Sequence, residues 1–272
     1  MKHNIVVLFA LVFLFDCNNS PQPVKPVTEA PVIPVLNYSV SAYLPHDTNS
    51  FTEGLLVHNG RLFESTGHPP DDDLPQTRSL FGITDIKTGK IDVKAELDKY
   101  KYFGEGIAIL NNKIYQLTLT NKVGYIYDAT SFKKQGEFAF ANKEGWGLTT
   151  DGVNLIMSDG TGSLTYLDPT TLKAVKTLPV AKNGIAVDSL NELEYIKGFI
   201  YANVWLTNTI IKINPANGEV TGIIDLNSLT AEAKNKYPGA LELNGIAYDA
   251  LADKTYVTGK IWPNIYQIAF PH

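Results

Sequence analysis

The chain has 272 residues, enough to bury a large core as one domain or two. A formal net charge of −5 argues against a nucleic-acid partner, which would call for a basic stripe. Aromatic residues at 11% together with 21 glycines suit an all-β protein, and one cysteine precludes an intrachain disulfide.

Residues 1–17, MKHNIVVLFALVFLFDC, have a short basic start and an apolar run from Ile5 to Phe15. The run is too short to cross a bilayer comfortably and reads as an export signal. Leu14-Phe15-Asp16-Cys17 resembles a bacterial lipoprotein box, in which the cysteine is lipidated. Asp16 departs from the small residue expected there, and the alternative is an ordinary signal with an incidental cysteine. Either reading exports the chain, to the periplasm or outer membrane as a lipoprotein or otherwise as a secreted protein. Residues 18–36 hold five prolines and no periodicity, which predicts an extended tether. The folded domain is expected over 37–272.

Tyr38–Leu44 alternates as a strand would. From there a hairpin pattern recurs. Phe103–Leu119 (FGEGIAILNNKIYQLTL) shows it best: a Gly-Glu-Gly entry, an apolar strand, an Asn-Asn turn suited to positive φ, and a second strand. Aligned hairpins put Glu53, Glu105, Trp146, Asn191 and Asn244 in one slot, at intervals of 52, 41, 45 and 53 residues. A period of roughly 40–50 residues built from hairpins indicates propeller blades of four strands. Asp85, Asp128, Asp168 and Asn214 open ordinary turns after the first four hairpins. Leu229–Lys236 reads as the one helical piece. After Asn244 only three strands remain, so Tyr38–Leu44 is predicted to complete the last blade. The expected fold is all-β, a five-bladed propeller.

Equivalent positions in successive blades lie on a ring about the axis. The five slot residues should therefore face one mouth, joined by Thr66, Leu119, Asp159, Trp205 and Lys260 from the returning strands. Any one of them taken singly reads as well as a solvated loop residue, or as a Trp filling space between blades. Together, in ring register, they argue for a site. Asp71-Asp72-Asp73 offers a cation or amine site, against the plainer reading of a solvated loop tip.

These residues also carry a resemblance. FTEGL, FGEGI, YQLT, GWGLTTDG, LIMSDGT, LNELEYI, IYANVW, LNGIAYD and TGKIWP, in this order, resemble the plant- and bacterial-type glutaminyl-peptide cyclotransferases, which are five-bladed propellers. The likeness spans about Tyr38 to Tyr266. It implies conversion of N-terminal glutamine to pyroglutamate with loss of ammonia, on peptide or protein substrates. It implies catalytic roles for Glu105, Lys260 and Asn191, and substrate contacts from Phe51, Glu53, Trp146, Trp205, Asn244 and Leu119. Leu119 stands where relatives carry Trp, which predicts a wider or less aromatic wall. No cofactor is implied; a structural calcium ion is compatible with the resemblance and not required by the chemistry. The remaining expectations are a monomer, no nucleic acid, and membrane contact only through Cys17.

A carboxylate such as Glu105 can move a proton from the attacking amine to departing ammonia, and Lys260 or Asn191 can donate to the carboxamide oxygen. The histidines, His3, His46, His58, His68 and His272, lack the paired spacing of a zinc site. Two other classes compete: a binding module that holds a ligand in its channel, and a lactonase-like metal-dependent propeller. The second would want a ring of Asp, Glu or Asn, against which Trp146 and Lys260 speak.

Overall fold

A computed structural model describes residues 32–69 and 73–272. The segment expected to be an export signal with Cys17, most of the proline-rich segment, and Asp71 and Asp72 of the acidic loop lie outside the described residues.

The first strand, β1 (Ser39–Pro45), precedes the first complete sheet. Blade 1 is β2 (Thr52–His58), β3 (Arg61–Thr66), β4 (Leu80–Thr84) and β5 (Ile91–Glu96). Blade 2 is β6 (Gly104–Leu110), β7 (Lys113–Thr118), β8 (Val123–Asp128) and β9 (Lys134–Ala139). Blade 3 is β10 (Leu148–Thr150), β11 (Leu155–Met157), β12 (Ser163–Leu167) and β13 (Ala174–Pro179). A small hairpin, β14 (Ala181–Lys182) and β15 (Ile185–Ala186), leads to blade 4: β16 (Leu190–Ile196), β17 (Phe199–Val204), β18 (Thr209–Ile213) and β19 (Val220–Asp225). Then come α1 (Asn227–Lys236) and, in blade 5, β20 (Leu243–Asp249), β21 (Lys254–Gly259) and β22 (Asn264–Ala269).

The ring closes as expected. β1 pairs antiparallel with β22, from Ser39 opposite Ala269 to Pro45 opposite Asn264, and becomes the fourth strand of blade 5. Closure covers an edge that would otherwise expose unpaired backbone groups. Pairing with the propeller starts earlier than Asn37. Ile223 donates to Pro34 O at 3.0 Å and Leu36 donates to Ile223 O at 2.7 Å, because Gly222 leaves room for the Leu36 side chain. The helix also begins sooner than Leu229 and buries Leu229, Thr230 and Ala233.

Local chemistry explains the hairpins. Asn111 and Asn112 both adopt positive φ, 52° and 57°, as a tight two-residue turn requires. Asn59-Gly60 and Lys197-Gly198 repeat the solution in blades 1 and 4. The outer turns are held by carboxylates: Asp128 Oδ1 accepts from the Thr130 and Ser131 N–H groups, and Asp168 Oδ1 from those of Thr170 and Thr171.

The innermost strands set the site. Register shifts interrupt β2 between Thr52 and Gly54, β6 between Gly104 and Ile107, β16 between Leu190 and Leu193, and β20 between Leu243 and Ile246. Each bulge contains the slot residue, and a bulge re-aims a side chain. Where a glycine follows the slot residue it has a separate cause, the approach of neighbouring blades. A Cβ on Gly106 would lie 2.4 Å from Leu148 N, and one on Gly147 would lie 2.2 Å from Asn191 O.

Inner strand edges face the axis, where their N–H groups need partners. Glu192 supplies them from blade 4. Its Oε1 accepts from Leu55 N in blade 1 and its Oε2 from Ile246 N in blade 5. Farther along, Glu194 accepts from Tyr248 N and from the Thr149 hydroxyl. Burial raises both acids, Glu192 well above the carboxylate range and Glu194 to about 8.

Candidate active site

A cavity of about 320 Å³ opens at the slot end of the axis, lined by Phe51, Glu53, Phe103, Glu105, Leu119, Glu144, Trp146, Asn191, Trp205, Lys260 and Pro69. Four of the five slot residues are therefore on its wall. A larger groove, about 640 Å³, lies between the Val35–Tyr43 stretch and α1. Among the described residues no lysine or arginine lines it, so of these two cavities the smaller is the one that joins acid to base.

Asn244, the fifth slot residue, sits behind the wall. It is fully buried, and its amide donates to Glu53 Oε2 at 2.9 Å and to Thr52 O at 3.0 Å. It holds Glu53 in place from below. The resemblance implied a substrate contact, whereas the geometry gives this residue a supporting position.

The returning strands contribute Leu119, Trp205 and Lys260. Their backbone N–H groups bond to Phe103 O, Ser189 O and Glu242 O, at 3.1, 2.8 and 2.9 Å. In blade 1 the same bond comes from Gly67 to Phe51 O, so Gly67 and not Thr66 is the equivalent position. A one-residue offset turns a side chain to the other face of the strand. Thr66 is accordingly buried and donates to Arg78 O at 2.6 Å. Phe103 takes the space that Gly67 leaves, where a Cβ would lie 2.3 Å from its ring. Asp159 also misses the cavity; it accepts from Asn142 and Thr161.

Phe103 and Glu144 are wall residues that motif reading did not single out. Both lie two positions before a slot residue, as Phe51 does before Glu53. The repeat therefore held the signal: Phe51, Phe103 and Glu144 form a second ring just outside the first.

Charge is concentrated on one side. Lys260 Nζ lies 2.8 Å from Glu53 Oε1 and 4.7 Å from the centre of the Phe51 ring. Burial alone would lower the lysine; the Glu53 and Glu105 charges outweigh it and place it above the ordinary lysine range. Burial lifts Glu53 to about 7 against the pull of Lys260. Glu105 is raised well above the carboxylate range, by burial first and then by the neighbouring Glu53 charge. Of the two acids, the one in contact with Lys260 is the easier to ionise, and burial with the neighbouring Glu53 charge favours the protonated form of Glu105.

Two polar atoms on the wall have no hydrogen-bond partner among the described residues, Glu105 Oε2 and Asn191 Oδ1, and both are buried. On the same wall Trp146 and Trp205 meet edge to face, centroids 5.4 Å apart. Trp146 Nε1 donates to Glu144 Oε2 at 2.9 Å. Its ring lies over Gly160, where a Cβ would come within 2.7 Å of it. Behind Glu53 and Lys260 runs a buried polar cluster. His46 Nε2 is 2.9 Å from Glu64 Oε1, His46 Nδ1 is 2.7 Å from Trp262 O, and Thr52 and Thr84 donate to Glu64. It ties blade 1 to the loop that carries Lys260. Among the described residues, no three His, Cys, Asp or Glu side chains are grouped as a metal ion would require.

Comparison with known proteins supplies the family. The glutamine cyclotransferase family matches residues 10–270. A glutaminyl-peptide cyclotransferase of Arabidopsis thaliana is 40% identical over 231 residues, covering 84% of this chain and 70% of that protein. The crystal structure of Myxococcus xanthus glutaminyl cyclase superposes with a TM-score of 0.78 at 32% identity, covering 87% of this chain and 98% of that one. On these three agreements the chain belongs to the glutamine cyclotransferase family.

Proposed function

We propose that the chain is a glutaminyl-peptide cyclotransferase that closes N-terminal glutamine to pyroglutamate and releases ammonia, with Glu105 carrying the proton. The observation that supports this assignment of roles is the Glu105 carboxyl, buried at the cavity wall where its surroundings favour the protonated form, with Oε2 lacking a hydrogen-bond partner among the described residues. Family membership favours catalysis over simple capture of a ligand in the channel.

The steps follow from the groups present. The substrate α-ammonium gives up one proton to solvent, because only the neutral amine attacks. Its nitrogen then bonds to the γ-carboxamide carbon, an intramolecular step in which tethering has already removed much of the entropic barrier. Negative charge develops on the carboxamide oxygen, and the Lys260 ammonium and the Asn191 amide are the donors on that wall. Protonated Glu105 acts through both oxygens: its O–H gives a proton to the departing nitrogen while the other oxygen takes one from the attacking nitrogen. The C–N bond to ammonia breaks, the lactam carbonyl re-forms, and the carboxyl ends in the state in which it began. Ammonia takes up a proton in solvent. Trp146, Trp205, Phe51 and Phe103 enclose the short side chain and exclude water. No step in this scheme calls on a metal ion or cofactor.

Incubation with Gln-β-naphthylamide and a coupled ammonia assay tests the reaction. Ammonia release in step with loss of free amine supports the reading, and binding without ammonia release would replace it with a capture module.

We further infer that residues 1–17 direct export and that Cys17 is the anchor, with 18–31 as a tether; the apolar run Ile5–Phe15 and the box ending at Cys17 support this. Cys17→Ser should move the protein from the membrane to the soluble fraction. A wild type already soluble would overturn the anchor.

A further inference from the structure

Glu144 contributes a carboxylate to the cavity wall that the reaction scheme above leaves unused. Its Oε2 is engaged by the Trp146 indole, and its Oε1 has no hydrogen bond among the described residues. The side chain is only half-buried, in contrast to Glu53 and Glu105, which are 1% and 4% exposed. Lys260, the cation on this wall, is committed to Glu53 at 2.8 Å. An arriving cation therefore meets one carboxylate that is neither ion-paired nor fully enclosed.

The substrate brings such a cation. An α-amine titrates near 7.7–8, so an N-terminal glutamine reaches the cavity mainly as its ammonium. We propose that Glu144 is the specificity residue that receives the substrate's N-terminal ammonium, through Oε1, while Oε2 holds the Trp146 ring against the glutamine side chain. The inference rests on the cyclotransferase reading of the cavity and names how that cavity selects a free amine.

Three features favour it. Glu144 and Trp146 are two apart on the approach to β10, so one short segment presents both the charge and the aromatic face. The Trp146 ring cannot swing back, because Gly160 lies directly beneath it and Trp205 meets it edge-on. The Glu144 charge also reaches Glu105, where it acts to keep the proton on the acid. An ammonium held at Glu144 thus waits beside the group that manages the next proton transfers.

The test uses two non-cyclising competitors, Met-β-naphthylamide and its des-amino counterpart, against ammonia release from Gln-β-naphthylamide at about pH 6.5, where the amine is charged. Wild type should bind the amine about tenfold more tightly, the usual worth of a charge-assisted hydrogen bond. In Glu144→Gln the two inhibition constants should converge to within about twofold, through weakening of the amine compound alone. Trp146→Phe removes the indole N–H and keeps the carboxylate, so it should preserve the ratio even where turnover falls. A Glu144→Gln enzyme that still discriminates tenfold, or one in which both compounds weaken equally, would overturn the proposal; the second result would mean Glu144 serves only to place Trp146. If wild type releases ammonia but neither compound competes, this inference falls and the reaction stands. If wild type releases no ammonia, the reaction reading falls, and this inference with it.

Discussion

Lys260 Nζ and Glu53 Oε1 form a buried ion pair at 2.8 Å, the lysine entering from blade 5 and the acid from blade 1. The pair neutralises the cation that would otherwise draw the proton off Glu105. Glu53→Gln removes one negative charge from beside Glu105 and leaves Lys260 unpaired. Both changes favour ionised Glu105, so its raised pKa should fall. The alkaline limb of kcat against pH should then move to lower pH, with turnover at the optimum reduced less than about tenfold, below the usual worth of a proton-transfer group. An unmoved limb would show that Glu53 does not tune Glu105.

Leu119→Trp probes the wall at which the sequence resemblance implies a Trp. An indole there would narrow a cavity of about 320 Å³ and add a third aromatic face beside Trp146 and Trp205. Aromatic contacts of this kind are worth about 0.5–1.5 kcal/mol beyond area burial. KM for Gln-β-naphthylamide should fall between roughly twofold and tenfold, with kcat changed less. A rise in KM would mean that Leu119 leaves room the substrate needs.

The propeller, its closure by the N-terminal strand and most of the cavity wall were legible in sequence, because a repeat converts linear spacing into position on a ring. Spacing alone brings Glu105, Trp146 and Lys260 together in that way. Two kinds of detail were not. Thr66 was misplaced by one residue, since counting along a hairpin does not reveal bulges, and a bulge changes which face a side chain takes. Nothing in the local sequence sets Glu64, Glu192 and Glu194 apart from other polar strand positions. Their burial follows from contacts across blades: Glu192 reaches Leu55 and Ile246, far away in sequence. Phe103 and Glu144 could have been found by comparing the position two before each slot, where Phe51 already stood out.

The buried acids also predict how stability depends on pH. Glu192 and Glu194 have folded-state pKa values above their unfolded values, as do Glu53, Glu105 and His46. For such groups the folded state binds more protons, so stability falls as pH rises from the unfolded value through the folded one. Glu64 is the opposite case: burial raises it, but the His46 charge and hydrogen bond prevail and hold it below the carboxylate range. Its contribution is lost as pH falls through that depressed value. The melting temperature should therefore be highest in mildly acidic solution, near pH 5, and should decline by several degrees toward pH 8, about 2–4 °C per kcal/mol for a domain of this size. Scanning calorimetry across that range checks it, and a melting temperature that rises steadily to pH 8 would contradict the buried-acid account.

The central claim is that Glu105 moves the proton. Glu105→Gln keeps size and hydrogen-bonding capacity and cannot cycle a proton. Turnover of Gln-β-naphthylamide, followed as ammonia release, should fall about 10²–10⁴-fold, the usual worth of general acid–base catalysis. The melting temperature at neutral pH should not fall, because Gln removes a buried acid whose raised pKa costs stability there. Full ammonia release by a folded Glu105→Gln protein would contradict the mechanism, and so would a loss no larger than that of Glu53→Gln.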